Sequence, residues 1–94
     1  MFPVVIRPKA ETDLHDARRW YELQRPGLGD ELLDEIELAV GRLAENPESR
    51  PIYHNGFRRL LIHRFPYKLF YRVEQDRVII FRILHAKRDH RQWL

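Results

Sequence analysis

Two stretches of helical spacing, separated by a five-residue break, constrain this chain more than any other feature. Residues 8–24, PKAETDLHDARRWYELQ, place Ala10, Leu14, Ala17 and Tyr21 at i, i+4, i+7 and i+11, a single apolar stripe. Pro8 suits a first helical turn, where its missing N–H leaves no bond unmade. Glu11, Asp13 and Asp16 come early and Arg18 and Arg19 late, as the helix dipole favours. RPGLG then breaks the helix. A second helix is predicted over DELLDEIELAVGRLAEN, residues 30–46, with Leu32, Ile36, Ala39, Val40 and Leu43 on its apolar face. Asn46 and Pro47 end it. So short a connection predicts an antiparallel helical hairpin.

A hairpin with one apolar face needs a second layer, and the flanking segments supply strands. PVVIR near the start is a short β-branched run. After a loop come a possible short strand at Ile52 to His54, the tight-turn dipeptide Asn55-Gly56, and three longer runs. These are Arg58 to Phe65, Tyr67 to Glu74 and Arg77 to Leu84. The expected fold class is therefore α+β: an N-terminal strand, an α-helical hairpin, then an antiparallel β-meander with the helices packed on one sheet face. With 94 residues and no internal repeat or linker, residues 1–94 form one domain.

Alternation assigns the two sheet faces. Tyr67, Leu69, Tyr71 and Val73 suit the helix-covered face, as do Leu60 and Ile62 on the strand before and Ile79, Phe81 and Ile83 on the last. That leaves Arg59, Leu61, His63, Lys68, Phe70, Arg72, Val78, Ile80, Arg82 and Leu84 opposite. A face mixing cations with bare apolar groups is an interaction surface. Guanidinium and ammonium groups there suit phosphates or carboxylates, and Phe70 suits base stacking.

Charge is divided along the chain. Residues 1–50 carry 7 Lys/Arg against 11 Asp/Glu, net −4; residues 51–94 carry 10 against 3, net +7. A basic half favours an anionic partner, nucleic acid or acidic protein. There is no cysteine, hence no disulfide framework and no Cys-based zinc site. His63, His85 and His90 lack metal-ligand spacing, so neither a metal nor another cofactor is expected. No run approaches the roughly 20 apolar residues of a membrane span. A soluble, cytoplasmic protein is expected.

Several motifs together resemble the RelE/ParE superfamily of type II toxins, the toxic halves of toxin–antitoxin pairs. They are Ala10-x-x-Asp13-Leu14 and Trp20-Tyr21 on the first helix, Leu43-x-x-x-Pro47 at the end of the second, Arg58-Arg59-Leu60-Leu61-Ile62, residues 65–73 (FPYKLFYRV), and residues 83–89 (ILHAKRD) followed by Trp93. The resemblance spans nearly the whole chain and implies the same fold. It also implies a toxin of a plasmid-stabilising or addiction system, neutralised by a cognate antitoxin whose acidic segment wraps it, and growth inhibition when the toxin is unopposed.

The superfamily has two activities. RelE-like members cut mRNA on the ribosome, with the 2′-OH as nucleophile; ParE-like members poison DNA gyrase. Cleavage needs a base, cations for the phosphorane-like charge, and an acid for the leaving oxygen. The resemblance places the cations at Lys68 and Arg88. The C-terminal tyrosine that usually completes the nuclease set is missing, since no Tyr follows Tyr71. His85, at the end of the last strand, is the remaining candidate for proton transfer, since histidine as a residue type can serve as acid or base. If the chain is a nuclease, its catalytic residues are His85, Lys68 and Arg88. The incomplete set favours the ParE-like side, with gyrase as target and the ribosome-dependent mRNA endonuclease as the alternative, and leaves open whether the protein is an enzyme. Target or antitoxin contacts are expected at Arg59, His63, Lys68, Phe70, Arg72, Arg82, Lys87, Arg88, Arg91 and Trp93. More ordinary roles are pairing of Arg58 and Arg59 with Glu35 or Glu37, and packing for Trp20 and Tyr21.

Overall fold

The computed structural model describes residues 1–87 and 93–94. In chain order the elements are β1 (Val4–Ile6), α1 (Pro8–Gln24), α2 (Leu28–Glu45), a 3-10 turn (Pro47–Ser49), β2 (Ile52–His54), β3 (Phe57–Leu61), β4 (Tyr67–Glu74) and β5 (Arg77–His85). The five strands form one sheet in the order β1-β5-β4-β3-β2. β2 to β5 form the antiparallel meander, and β1 joins its far edge parallel to β5, with Val4, Val5 and Ile6 opposite Val78, Ile79 and Ile80.

The helical hairpin forms as the spacing predicts. Ala10 and Ala17 of α1 and Leu32, Ile36, Ala39 and Leu43 of α2 are buried against Leu60, Ile62, Leu69, Tyr71, Val78, Ile80 and Ile83 of the sheet. Leu14, Tyr21 and Val40 pack at its margin. Trp20 does not join this core and stays 56% exposed, touching the Tyr21 ring edge-on at 4.9 Å. The helices approach closely at Gly29, where a Cβ would lie 2.8 Å from the Arg18 carbonyl oxygen. Glu22 closes the hairpin. Its carboxylate accepts the backbone N–H groups of Gly27 and Gly29 at 2.8 and 3.0 Å, satisfying donors at the start of α2 where the helix dipole also favours negative charge.

The β3–β4 connection is wider than a two-residue turn. β3 stops at Leu61, and Ile62 N–H donates to the Tyr67 carbonyl at 3.1 Å. Phe65 in that turn is buried, edge-on to Tyr21 at 4.9 Å, and Arg64 reaches Glu31 of α2 at 2.8 Å. At the other end, the buried Tyr71 hydroxyl donates to the Pro47 carbonyl at 2.6 Å, and burial raises its pKa. Arg58 is committed to the same corner. It donates to the carbonyls of Glu48 and Arg50 and lies 4.0 Å from the Glu48 carboxylate, rather than pairing with Glu35 or Glu37 on α2.

One irregularity alters the expected faces. Phe70 pairs with Arg82 but Tyr71 pairs with Ile80, so Phe81 is an extra residue on β5. The bulge shifts the alternation by one. Upstream of it, Val78 and Ile80 face the helices instead of Ile79 and Phe81; downstream, Ile83 faces them as expected.

Candidate functional site

The face turned from the helices is not bare. Phe57, Phe70, Ile79 and Leu84 are buried there, at 5%, 0%, 6% and 3% exposure, and form a thin second apolar layer. The β2–β3 hairpin folds over it. Tyr53 lies 6.0 Å from the Phe70 ring, and Arg59 stacks on Tyr53 with its guanidinium carbon 3.9 Å from the ring centre. Phe57 meets Phe81 edge-on at 5.1 Å, and the Arg72 guanidinium covers Phe57 at 4.1 Å while donating to the Asn55 carbonyl at 2.6 Å. Asn55 and Gly56 both take positive φ in this turn, as the Asn-Gly pair suggests.

One expected contact residue is thereby corrected, and two others are engaged within the chain. Phe70 is fully buried under Tyr53 and cannot stack on a base. Arg72 is part of the layer's own packing, held by two aromatic rings and a backbone carbonyl. Arg82 is drawn to α1. Its Nε and Nη2 donate to the two oxygens of Asp13 at 2.7 and 3.0 Å, and the Asp13 carboxylate also accepts Ile83 N–H at 3.0 Å. This hydrogen bonding holds the Arg82 pKa above its ordinary value. The Asp13–Arg82 pair, 69 positions apart, has no signature in simple alternation.

What remains outward is narrower. Arg59 is exposed above Tyr53, and Leu61, 55% exposed, sits opposite Lys68 across the β3–β4 pair. Ile52 on the edge strand is 60% exposed, and His63 is exposed in the following turn. Partial burial and the neighbouring Arg59 charge lower the Lys68 pKa. Two cations held against each other beside exposed aliphatic groups can lower that repulsion by accepting a carboxylate or phosphate. Tyr53 and Phe57, the rings under Arg59 and Arg72, were not picked out by sequence reasoning. The aromatics flanking Asn55-Gly56 are the signal that could have found them.

His85 lies elsewhere. It pairs across the strands with Tyr67, and its ring meets the Tyr67 ring at 5.4 Å. Tyr67 packs against the helix-side core, so His85 and Lys68 occupy opposite faces of the sheet. Lys87 N–H donates to His85 Nδ1 at 3.2 Å, which leaves the proton of the neutral ring on Nε2. Lys87 is exposed, and Trp93 is 46% exposed with its ring 5.5 Å from the Arg82 guanidinium carbon. Arg88 and Arg91 lie outside the described residues. Among the described residues no cluster of His, Asp or Glu is arranged to hold a metal, and no helix is long and apolar enough to cross a membrane.

Comparison with known proteins agrees with this architecture. Toxin RelE3 of Caulobacter vibrioides is 32% identical over 88 residues, covering 92% of this chain and 96% of that protein. Among solved structures, the chromosomal ParDE toxin–antitoxin system of P. aeruginosa contains a chain that superposes with a TM-score of 0.82 at 24% identity, covering 93% of this chain and 98% of that one; this similarity is one of fold. The RelBE2 toxin–antitoxin complex of Mycobacterium tuberculosis matches with a TM-score of 0.61 at 26% identity, over 92% of this chain and 93% of that one. Residues 4–90 match the family described as the ParE toxin of the type II toxin–antitoxin system parDE, and with it the helical hairpin, the bulged sheet and the motifs from Asp13 to Lys87 have a common explanation: the chain belongs to the ParE toxin family of the RelE/ParE superfamily.

Proposed function

We propose that this toxin acts by binding rather than by cleaving RNA, with DNA gyrase as its target, and that a cognate antitoxin neutralises it by laying an acidic segment over Arg59 and Lys68. The observation that carries the reading is the separation of Lys68 from His85 by the thickness of the sheet. In-line cleavage at a phosphate needs the stabilising cation and the proton-transfer group on the same scissile bond. A cation on one face and an imidazole on the other do not meet that need. The same cations beside the exposed Leu61 do suit an acidic, partly apolar peptide. Such a pair would serve plasmid stabilisation in the bacterial cytoplasm.

The test is direct. Expression of the chain alone should arrest growth, and co-expression with its antitoxin should restore it. The purified toxin should inhibit gyrase supercoiling and leave messenger RNA intact. The name of the Caulobacter relative, Toxin RelE3, favours a second reading, ribosome-dependent mRNA cleavage. Codon-phased mRNA ends in translating cells, with gyrase unaffected, would establish that reading instead.

A further inference from the structure

A cleft of about 330 Å³ opens between α1 and the C-terminal half of β5, on the face away from Arg59 and Lys68. Ala17 and Ile83 give it an apolar floor, and Leu84 of β5 adds to the lining. Its wall is a continuous aromatic row. Trp20 touches Tyr21 at 4.9 Å, Tyr21 faces Tyr67 at 6.2 Å, and Tyr67 meets His85 at 5.4 Å. The acidic lining groups are Asp13 and Asp16. Arg82 already neutralises Asp13. Asp16 keeps 74% of its side chain exposed, its carboxylate 3.7 Å from the His15 ring. With Asp13 paired, Asp16 is the exposed carboxylate of this lining.

We propose that the cleft is a second docking site, for an arginine side chain of the antitoxin. The inference rests on the reading that this toxin has an antitoxin, and it gives that partner a two-signed contact: acidic groups on Arg59 and Lys68, one basic anchor here. The chemistry selects the occupant. An arginine stem needs the apolar floor, and its planar guanidinium both stacks on indole and phenol faces and forks onto a carboxylate. Trp20 is the strongest such ring and stands 56% exposed at the cleft. An acidic group would meet Asp16 as a like charge.

The cleft is tested with n-butylguanidinium, a mimic of the arginine side chain, and with butyrate as the opposite charge. The indole N–H signal of Trp20, assigned by its absence in Trp20→Leu, should shift saturably with n-butylguanidinium and not with butyrate. Asp16→Lys should weaken that response by about tenfold or more. No saturable shift, or an equal one with butyrate, overturns the site. The antitoxin arm uses the full toxin and the antitoxin that rescues growth. Asp16→Lys and Trp20→Leu should each raise the dissociation constant by about tenfold or more, and reversing one antitoxin arginine to glutamate should restore binding to Asp16→Lys. A guanidinium shift with unchanged antitoxin affinity in both variants overturns the assigned occupant. Failure of the wild-type chain to arrest growth would instead sink the toxin reading, and the guanidinium titration would still decide the cleft.

Discussion

Asp13 and Arg82, 69 positions apart in sequence, form a two-pronged ion pair that fastens α1 to the bulge of β5, with side-chain exposures of 14% and 16%. The same carboxylate accepts Ile83 N–H, a donor on the stretch of β5 beyond its pairing with β1. One side chain therefore satisfies a sheet edge, neutralises a nearly buried cation and sets the helix against the strand. Removing it leaves both the guanidinium and the N–H without their partner.

Asp13→Ala should accordingly cost about 3 kcal/mol, the low end for breaking a buried pair because some solvent reaches it. Asp13→Asn should cost less, since an amide oxygen can still accept Ile83 N–H. Adding Arg82→Met to Asp13→Ala should recover part of the loss by removing the stranded charge. Urea unfolding of the three variants checks the order. An Asp13→Ala protein within about 0.5 kcal/mol of wild type would show the pair to be inert.

The correction to the open face changes which substitutions separate binding from folding. Leu69 is fully buried, and Leu69→Ala should cost about 2 to 5 kcal/mol. Arg72 covers Phe57 and holds the Asn55 turn, so Arg72→Ala should cost about 1 to 2 kcal/mol through lost packing and hydrogen bonding. Lys68→Ala should stay within about 0.5 kcal/mol, because partial burial and Arg59 already disfavour its charge. Its loss should appear in antitoxin affinity. Melting curves ranking Lys68→Ala as the worst of the three would refute the face assignment.

The helices were legible because their spacing is long and regular: α1 runs from Pro8 to Gln24, the segment marked out by its stripe and its breaker. Lys68 and Leu69 fell on their expected faces because β4 is paired with β5 along its whole length and with β3 from Lys68 to Tyr71. The end of the sheet was not legible. Alternation assumes an unbroken ladder, and one extra residue at Phe81 reverses the faces of Val78 to Phe81 without any glycine or proline to announce it. Phe70 was misjudged for another reason. Outward position on a strand was equated with exposure, whereas a three-residue edge strand carrying Tyr53 bends over it. Asp13 was visible as a motif residue, but its partner lay too far along the chain for local pattern to connect them.

Acid should loosen the turn between β3 and β4. Glu31 accepts Arg64 and Arg25, at 2.8 and 2.7 Å, and these hydrogen bonds hold its carboxyl below the ordinary value of 4.5. A depressed folded-state pKa means stabilisation that is present above 4.5 and lost as pH falls through the folded value. Wild-type Tm should therefore fall more steeply than that of Glu31→Gln below pH 4.5. The pair is solvent-accessible, so about 1 M salt should shrink the difference. Parallel Tm–pH curves for the two proteins would exclude this contribution.

The two activities make opposite demands on His85. If the toxin works by binding gyrase, His85→Ala should leave growth arrest largely intact, because the ring lies on the opposite sheet face from Lys68. The tail should matter instead. Truncation after Ala86 removes five of the chain's charged or titratable side chains, Lys87, Arg88, Asp89, His90 and Arg91, together with Trp93, which stacks near Arg82. Toxicity should be abolished, and primer extension should find no new mRNA ends in cells arrested by the intact chain. If the toxin is a nuclease, His85→Ala should cost on the order of 10² to 10⁴ in rate, the usual worth of a general acid or base. Codon-phased cuts that vanish in His85→Ala would therefore require His85 and Lys68 to reach one phosphate from opposite faces, and would overturn the binding reading. Arrest with intact messages and accumulating DNA breaks, unchanged in His85→Ala, is the outcome that their separation supports.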